Sequence, residues 1–259
     1  MWAHRLTIVL LAAAWLLALG TIGWDWKLPG GSGWVEALLL LLATAGTMTA
    51  LTRQLPFQNV LLAVVVIAVA GGGLQAAGVT TGVPFGPFLF GAGAGAQMFK
   101  TLPWSIPLIW IVAVLDSRGV ARLILRPWRK TRSYGFWLMG LAAGLTMLFD
   151  LALDPFATRV QHCWLWLPTK FSVTWQGAPL VNFPSWGVAT LLMLAFVTPA
   201  LINKNPVRQR ADFFPLAVWL GALVLFAVGS AKHGMWPAVG VDVALAVLAA
   251  ILAIRGGRW

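Results

Sequence analysis

The sequence predicts an all-α integral membrane protein, a bundle of about eight transmembrane helices in one domain covering residues 1–259. Of these residues 60% are hydrophobic and only 10% are charged, whereas soluble domains carry about 25% charged residues. Apolar runs of about twenty residues, the length that crosses the hydrocarbon core of a bilayer, recur along the chain. The alternative, a soluble bundle of buried helices, is disfavoured because a soluble protein could not hide so much apolar surface from water.

The apolar runs define the individual spans. The fourth is interrupted by Pro103 and Pro107, which a membrane helix tolerates where neighbouring groups satisfy the freed carbonyls. The first run continues into Trp24 and Trp26 without a small-residue cleavage site, so we interpret it as a span and not as a signal peptide. The predicted spans are 6–23, 34–51, 59–78, 98–115, 135–153, 182–202, 214–230 and 236–254.

The distribution of basic residues predicts that both termini are cytoplasmic; separately, we expect the protein to lie in the inner membrane of a bacterial cell. Thirteen Lys and Arg residues fall on the side of the termini and five on the other side, and basic residues concentrate in cytoplasmic loops. The net charge of +11 therefore reflects topology and contact with lipid headgroups, and no nucleic-acid partner is expected. The thirteen are Arg5, Arg53, Arg118, Arg122, Arg126, Arg129, Lys130, Arg132, Lys204, Arg208, Arg210, Arg255 and Arg258.

Two segments on the opposite side, 79–97 and 154–181, are too long for simple turns. Both are apolar and aromatic and contain Gly and Pro. We expect them to fold back into the membrane boundary, where irregular backbone is tolerated only if it is buried in protein or lines a cavity. They predict a cavity near the outer face. Most tryptophans at span ends fit the aromatic belt of membrane proteins, but four crowd this region, namely Trp164, Trp166, Trp175 and Trp186.

The strongest candidates for chemistry are Asp150 and Asp154. Their spacing places both carboxyls on one face of the fifth helix, which Pro155 is predicted to end. Two carboxylates this close in a low-dielectric site do not both ionise readily, so one is expected to stay protonated. A carboxylic acid beside a carboxylate is an arrangement that acid–base chemistry uses. The alternative is that they reach the outer interface or pair with Arg159 or Lys170.

The remaining acidic residues have simpler interpretations. Glu36 and Asp242 lie near the starts of spans, where a helix N-terminus favours negative charge. Asp25, Asp116 and Asp212 lie near basic residues and are interpreted as surface charges.

Other polar residues are candidates of lower weight. Asn182 begins the sixth span, where it could serve the site or cap the helix. The single Cys163 excludes an internal disulfide, and three scattered histidines form no metal-ligand pattern, so no metal is predicted. Those histidines are His4, His162 and His233, and the further polar candidates are Gln75, Gln97, Thr81 and His162.

Several motifs, taken together and in order, resemble the CruF-type carotenoid 1,2-hydratases, a family of carotenoid-biosynthesis membrane proteins. The resemblance covers about residues 75–195. Phe88 and Phe90 stand where the family pattern has tyrosines, and Ser185 stands where it has glycine. The motifs are TGVPFG (81–86), LPWSIPLIW (102–110), DLALDPFA (150–157), WLW (164–166) and PLVNFPSW (179–186).

The resemblance implies an enzyme that adds water across the terminal C-1,2 double bond of an acyclic carotenoid end group without a cofactor. The expected partners are a lipophilic carotenoid and membrane lipid, and no oligomeric state is predicted. Protonation of the alkene would fall to Asp150 or Asp154, and a water would be held by Asn182 or the second aspartate. Aromatic faces would stabilise the cation. The predicted substrate-binding residues are Trp110, Trp164, Trp166, Phe183, Trp186, Phe85 and Thr81.

Three other functions stay open at this point. A carotenoid end-group cyclase or isomerase would use the same acid and cation but exclude water. A non-catalytic carotenoid- or lipid-binding protein would tolerate loss of both aspartates. A small-solute transporter is disfavoured because the sequence shows no matching halves with broken helices.

Overall fold

A computed structural model describes residues 2–29, 33–168, 173–202 and 211–259. In these residues the chain forms eight α-helices, which confirms the predicted all-helical class. Six are long and apolar enough to cross a membrane. The other two are α4 (Ser105–Ile124), which carries three charged residues, and α6 (Asn182–Val197), which has only 16 residues. The direction of the bundle in the membrane stays a prediction. The helices are α1 (Trp2–Trp24), α2 (Gly33–Thr52), α3 (Phe57–Thr81), α4 (Ser105–Ile124), α5 (Tyr134–Arg159), α6 (Asn182–Val197), α7 (Phe214–Lys232) and α8 (Trp236–Gly257).

The described part of the chain also contains six short strands, which lie at one end of the bundle that we call the sheet end. They belong to the connections between α3 and α4 and between α5 and α6, which contain the two segments predicted as too long for turns, 79–97 and 154–181; residues 98–103 of the first connection lie beyond the first segment. One pair joins the two connections, because β1 (Phe88–Phe90) and β4 (Trp164–Trp166) are antiparallel with Phe88 opposite Trp166. The strands are β1 (Phe88–Phe90), β2 (Gln97–Met98), β3 (Leu102–Pro103), β4 (Trp164–Trp166), β5 (Thr174–Trp175) and β6 (Ala178–Pro179); β2 pairs with β3 and β5 with β6.

Helix α4 is the centre of the bundle and contacts α2, α3, α5, α7 and α8. The predicted fourth span, 98–115, begins too early in the chain, since residues 98–104 lie in and around the β2–β3 hairpin.

Asp116 is fully buried in α4 and accepts a hydrogen bond of 2.8 Å from Thr47, so its interpretation as a surface charge was wrong. The buried Arg118 donates to the carbonyl of Leu201 at 3.0 Å. A hydropathy pattern misses such residues because their partners come from neighbouring helices.

Helix α5 continues through Pro155 to Arg159, so the prediction that this proline ends the helix was wrong. Proline has no N–H for the carbonyl four residues earlier, which is that of Leu151. The indole Nε1 of Trp175 donates to this carbonyl at 3.1 Å. A side chain from the sheet end thus satisfies the group that would otherwise break the helix.

The acidic residues at helix starts divide into two cases. Glu36 lies in the first turn of α2, as predicted. Asp242 lies almost two turns into α8, is fully buried, and has no hydrogen-bond partner for either carboxylate oxygen among the described residues. Its interpretation as a charge at a helix N-terminus was therefore wrong.

Candidate functional site

The two aspartates of α5 point into the protein close to the sheet end, and neither is more than 1% exposed. Asp150 accepts a hydrogen bond of 2.6 Å at Oδ2 from Nδ2 of Asn182. Its other oxygen, Oδ1, is buried without a hydrogen-bond partner in the described residues. One carboxyl oxygen of Asp150 is therefore held by Asn182, and the other can accept or donate a further hydrogen bond.

Asp154 has a different environment, because two indole groups donate to it. Trp164 donates from Nε1 to Oδ1 at 2.8 Å, and Trp166 donates to Oδ1 at 3.0 Å and to Oδ2 at 3.2 Å. The two tryptophans lie two residues apart on β4, and side chains at that spacing project to the same side of a strand. The two indole N–H groups of the WLW motif thus donate to the same carboxyl group.

The structure also decides between alternatives that the sequence left open. Arg159 donates to the carbonyl of Gln176 at 3.1 Å and to neither aspartate, while Lys170 lies outside the described residues. Asn182 is the first residue of α6, and the helix start has no side-chain capping hydrogen bond. Its side chain turns to Asp150 on the neighbouring helix, so it does not cap α6.

A cavity of about 10 Å³ lies beside Asp150, which is about the space that one ordered water molecule requires. Gln75 also lines it; this side chain is buried and has no hydrogen bond to another described residue. A buried water needs two to four polar partners, and the groups of Asp150, Asn182 and Gln75 converge here. The cavity is lined by Gln75, Phe88, Ile106, Ile109, Asp150, Trp164, Trp166, Asn182 and Trp186.

An aromatic stack supports one wall of this small cavity. The rings of Trp110 and Trp186 are 3.7 Å apart and inclined by only 8°, and Phe85 contacts both, with ring centroids 6.3 and 6.4 Å away. Gly71 of α3 provides the space, because a Cβ there would overlap the ring of Trp110. Trp186 thus presents its indole to the cavity while Trp110 and Phe85 lie behind it.

Not every residue selected from the sequence reaches the cavity. Thr81 is exposed at the end of α3, where its hydroxyl donates to the carbonyl of Ala77 at 2.7 Å. Phe183 is buried beside Asn182 but does not line the cavity. Gln97 and His162 also lie outside its wall.

Four wall residues had no assigned role in the sequence analysis. Gln75 was a polar candidate without a function, and its signal was an amide in the apolar part of α3, far from Gln58 and Asn59 at the start of that helix. Phe88 was noted only as a departure from the family pattern. Ile106 and Ile109 lie within the motif LPWSIPLIW (102–110), but nothing else in the sequence separates them from ordinary core residues.

Comparisons with known proteins agree with the motifs. The sequence profile described as carotenoid biosynthesis protein matches residues 35–249. The chain is similar to a bisanhydrobacterioruberin hydratase of Haloarcula japonica, with 30% identity over 136 residues, and the alignment covers 51% of this chain and 43% of that relative. No solved structure matches. Since the profile covers most of the chain, this protein belongs to the carotenoid biosynthesis protein family.

Proposed function

We propose that this protein hydrates the terminal C-1,2 double bond of an acyclic carotenoid end group and forms a tertiary alcohol. The observation that carries the proposal is the water-sized cavity lined by Asp150, Asn182, Gln75 and three tryptophans, together with the Oδ1 of Asp150, which has no hydrogen-bond partner in the described residues. Membership of the family supports a carotenoid as substrate, and the similar protein of Haloarcula japonica is named as a hydratase.

The first step is proton transfer from Oδ1 of Asp150 to C-2 of the end group. The O–H bond breaks, the π electrons form the new C–H bond, and a tertiary cation remains at C-1. We assign the acid to Asp150 because its Oδ1 has no other partner in the described residues, whereas Asp154 accepts from two indoles. A positioned general acid contributes about 10²- to 10⁴-fold to a rate.

The cation is then held by aromatic faces until water captures it. Rings of Trp164, Trp166 and Trp186 line the cavity, and a cation over an indole face gains roughly 0.5–2 kcal/mol. Asp154 acts here as a positioning residue, since its carboxyl accepts from both Trp164 and Trp166.

Water completes the reaction. A water held by Asn182 and Gln75 attacks C-1, the C–O bond forms, and the surplus proton passes to the carboxylate of Asp150, which regains its starting state. The balance is one alkene and one water giving one alcohol, with no oxidant or reductant. Because the cavity has space for one water, the end group enters when side chains of its wall move. A water-sized cavity with three polar side chains in its wall favours hydration over cyclisation, which must exclude water.

The test is expression in a host that makes lycopene or γ-carotene, followed by chromatography and mass analysis of the pigments. We expect products heavier by one water, and Asp150→Asn is expected to lower their formation by about 10²-fold or more. Asp116→Asn is a matched control, because Asp116 is also a buried aspartate with one hydrogen-bonded oxygen but lies outside the cavity wall. Unchanged pigments with well-folded protein would exclude hydration of these substrates, and new cyclic end groups without added water would establish a cyclase.

A further inference from the structure

A second, much larger cavity adjoins the small one. It has a volume of about 760 Å³, within the range of roughly 300–1,000 Å³ that is usual for small-molecule sites. It lies between α1, α2, α4, α5 and α7, and its wall is almost entirely aliphatic and aromatic. Among the described residues of the wall, Glu36 is the one with a formal charge. Such a wall fits a hydrocarbon ligand and offers no partner for a charged headgroup along most of its length.

The large cavity is elongated along the helix axes. Its lining residues run from Ile8 to Ile22 on α1 and from Phe214 to Phe226 on α7, which at 1.5 Å per residue correspond to about 21 and 18 Å. The two helices run in the same direction, since His4 contacts Phe214 at one end and Lys232 donates to the carbonyl of Ile22 at the other. A carotenoid chain of about 30 Å, close to the thickness of the hydrocarbon core, would place most of its length here.

Two side chains, Ile109 and Trp164, line both cavities. They form the partition between the apolar volume and the polar space beside Asp150. Trp164 is also held by its hydrogen bond to Asp154. A ligand in the large cavity thus meets the candidate site at one defined place, near the sheet end.

We propose that the large cavity is the channel for the polyene, with the reacting end group at Ile109 and Trp164 and the tail running along α1 and α7 toward Ile8 and Phe214. The nature of the ligand rests on the proposed hydration, whereas its position and direction rest on the shape of the cavity and on the shared partition. The competing occupant is the acyl chain of a phospholipid.

The length of the proposed channel can be tested with bulky substitutions at two distances from its reacting end. Ala222 and Ala217 line the cavity on α7, about 6 and 14 Å along the helix from Phe226 at 1.5 Å per residue. Val224→Phe is the matched control, because Val224 lies on the same helix, is 40% exposed and is not in the wall. The probes are lycopene and an acyclic isoprenoid with the same end group and one third of its length. Each is titrated into detergent-purified full-length protein, and the amount retained after gel filtration is determined by mass spectrometry.

Ala217→Phe is expected to weaken lycopene retention by roughly tenfold or more and to leave the short probe unchanged. Ala222→Phe is expected to weaken retention of both, and Val224→Phe of neither. Circular dichroism and the thermal midpoint verify folding. Ala12→Phe, on the facing α1 wall, replaces Ala217→Phe if that variant does not fold.

The possible outcomes separate this proposal from the proposed function. If the wild type hydrates carotenoids but Ala217→Phe and Ala222→Phe retain lycopene normally, the channel is wrong and hydration stands. If the length-dependent pattern appears but no carotenoid is hydrated, the channel stands and hydration falls. If phospholipid alone is retained, the cavity is a lipid site and the channel proposal is overturned.

Discussion

Asn182 donates a hydrogen bond of 2.6 Å from Nδ2 to Oδ2 of Asp150, and this contact joins the first turn of α6 to the face of α5. Both side chains are buried. The bond fixes the rotation of the carboxyl group, so that Oδ1 is the oxygen left without a partner in the described residues. In the proposed reaction, the geometry of the acid therefore depends on a residue outside its own helix.

Replacing Asn182 by Ala is expected to lower the hydration rate more than it changes substrate binding. Asp150 becomes charged as it gives up its proton, and a hydrogen bond to a charged group is worth about 1.5–3 kcal/mol, which corresponds to roughly 10- to 160-fold in kcat. The helix start is expected to persist, because Asn182 makes no capping bond. Measured kcat and KM values of purified protein test this.

Asn59→Ala is the matched control, since Asn59 lies near the start of α3 and donates to the carbonyl of Ala200 at 3.0 Å, outside the cavity wall. We expect it to leave kcat unchanged. If Asn182→Ala lowered the thermal midpoint but kept the kcat of the folded protein, Asn182 would be structural only.

Asp154 and Trp164 are expected to be energetically coupled. Asp154→Ala leaves the indole N–H groups of Trp164 and Trp166 without their acceptor, at a cost of about 1–3 kcal/mol for each buried donor. Trp164→Phe keeps a ring in place and removes one of these donors. The double variant is therefore expected to lose less free energy of unfolding than the sum of the single variants, by at least about 0.5 kcal/mol.

A second double-mutant cycle, with Trp15 in place of Trp164, provides the comparison. Trp15 also uses its indole N–H, but donates to the carbonyl of Gly221 at 2.8 Å. Trp15→Phe combined with Asp154→Ala is expected to be additive within about 0.3–0.5 kcal/mol. Equal coupling in both cycles, measured by unfolding in detergent, would show that the effect is general destabilisation and not the hydrogen bond.

The sequence allowed prediction of those features that depend on local spacing. The four-residue interval placed Asp150 and Asp154 on one buried face, and apolar runs identified the helices. The two-residue interval in WLW explains why Trp164 and Trp166 reach the same carboxyl, once a strand is known there.

Features that depend on distant partners could not be predicted in this way. Helix α5 passes through Pro155 because Trp175, twenty residues later, donates to the Leu151 carbonyl. Asp116 is buried because Thr47 of another helix donates to it. Gln75 joins the cavity only because α3 packs against α4 and α6. A pattern within one segment contains no information on such contacts.

Trp186 is expected to contribute to catalysis through its ring. In the proposed mechanism, Trp186→Leu removes an aromatic face beside the cation, worth roughly 0.5–2 kcal/mol, or about 2- to 30-fold in rate. Trp186→Phe keeps an aromatic face and is expected to have an activity between those of Trp186→Leu and the wild type. Relative yields of hydrated pigment at equal protein level test this order. Trp137→Leu serves as the control, since Trp137 is exposed on α5. Equal activity of Trp186→Leu and Trp186→Phe would remove the aromatic argument.

Cys163, between α5 and β4, is expected to be an unreactive thiol. Burial, and secondarily the negative charge of Glu36, raises the pKa of this thiol to about 12. The thiolate is the reactive form, and a thiol with this pKa is protonated at all lower pH values, so that roughly one molecule in 10⁴ is ionised at pH 8. Because the chain has a single cysteine, alkylation measured by intact mass reports on this group alone.

Iodoacetamide is therefore expected to label the folded protein at pH 8 roughly 10³-fold more slowly than the protein unfolded in SDS, and the rate is expected to rise about tenfold per pH unit toward pH 12. Glu36→Gln removes the smaller cause and is expected to accelerate labelling modestly without abolishing the protection, since burial remains. Rapid labelling of the folded protein at pH 8 would show that the reagent reaches an ionised thiol, from outside or through the large cavity that Cys163 lines, and would contradict the raised pKa.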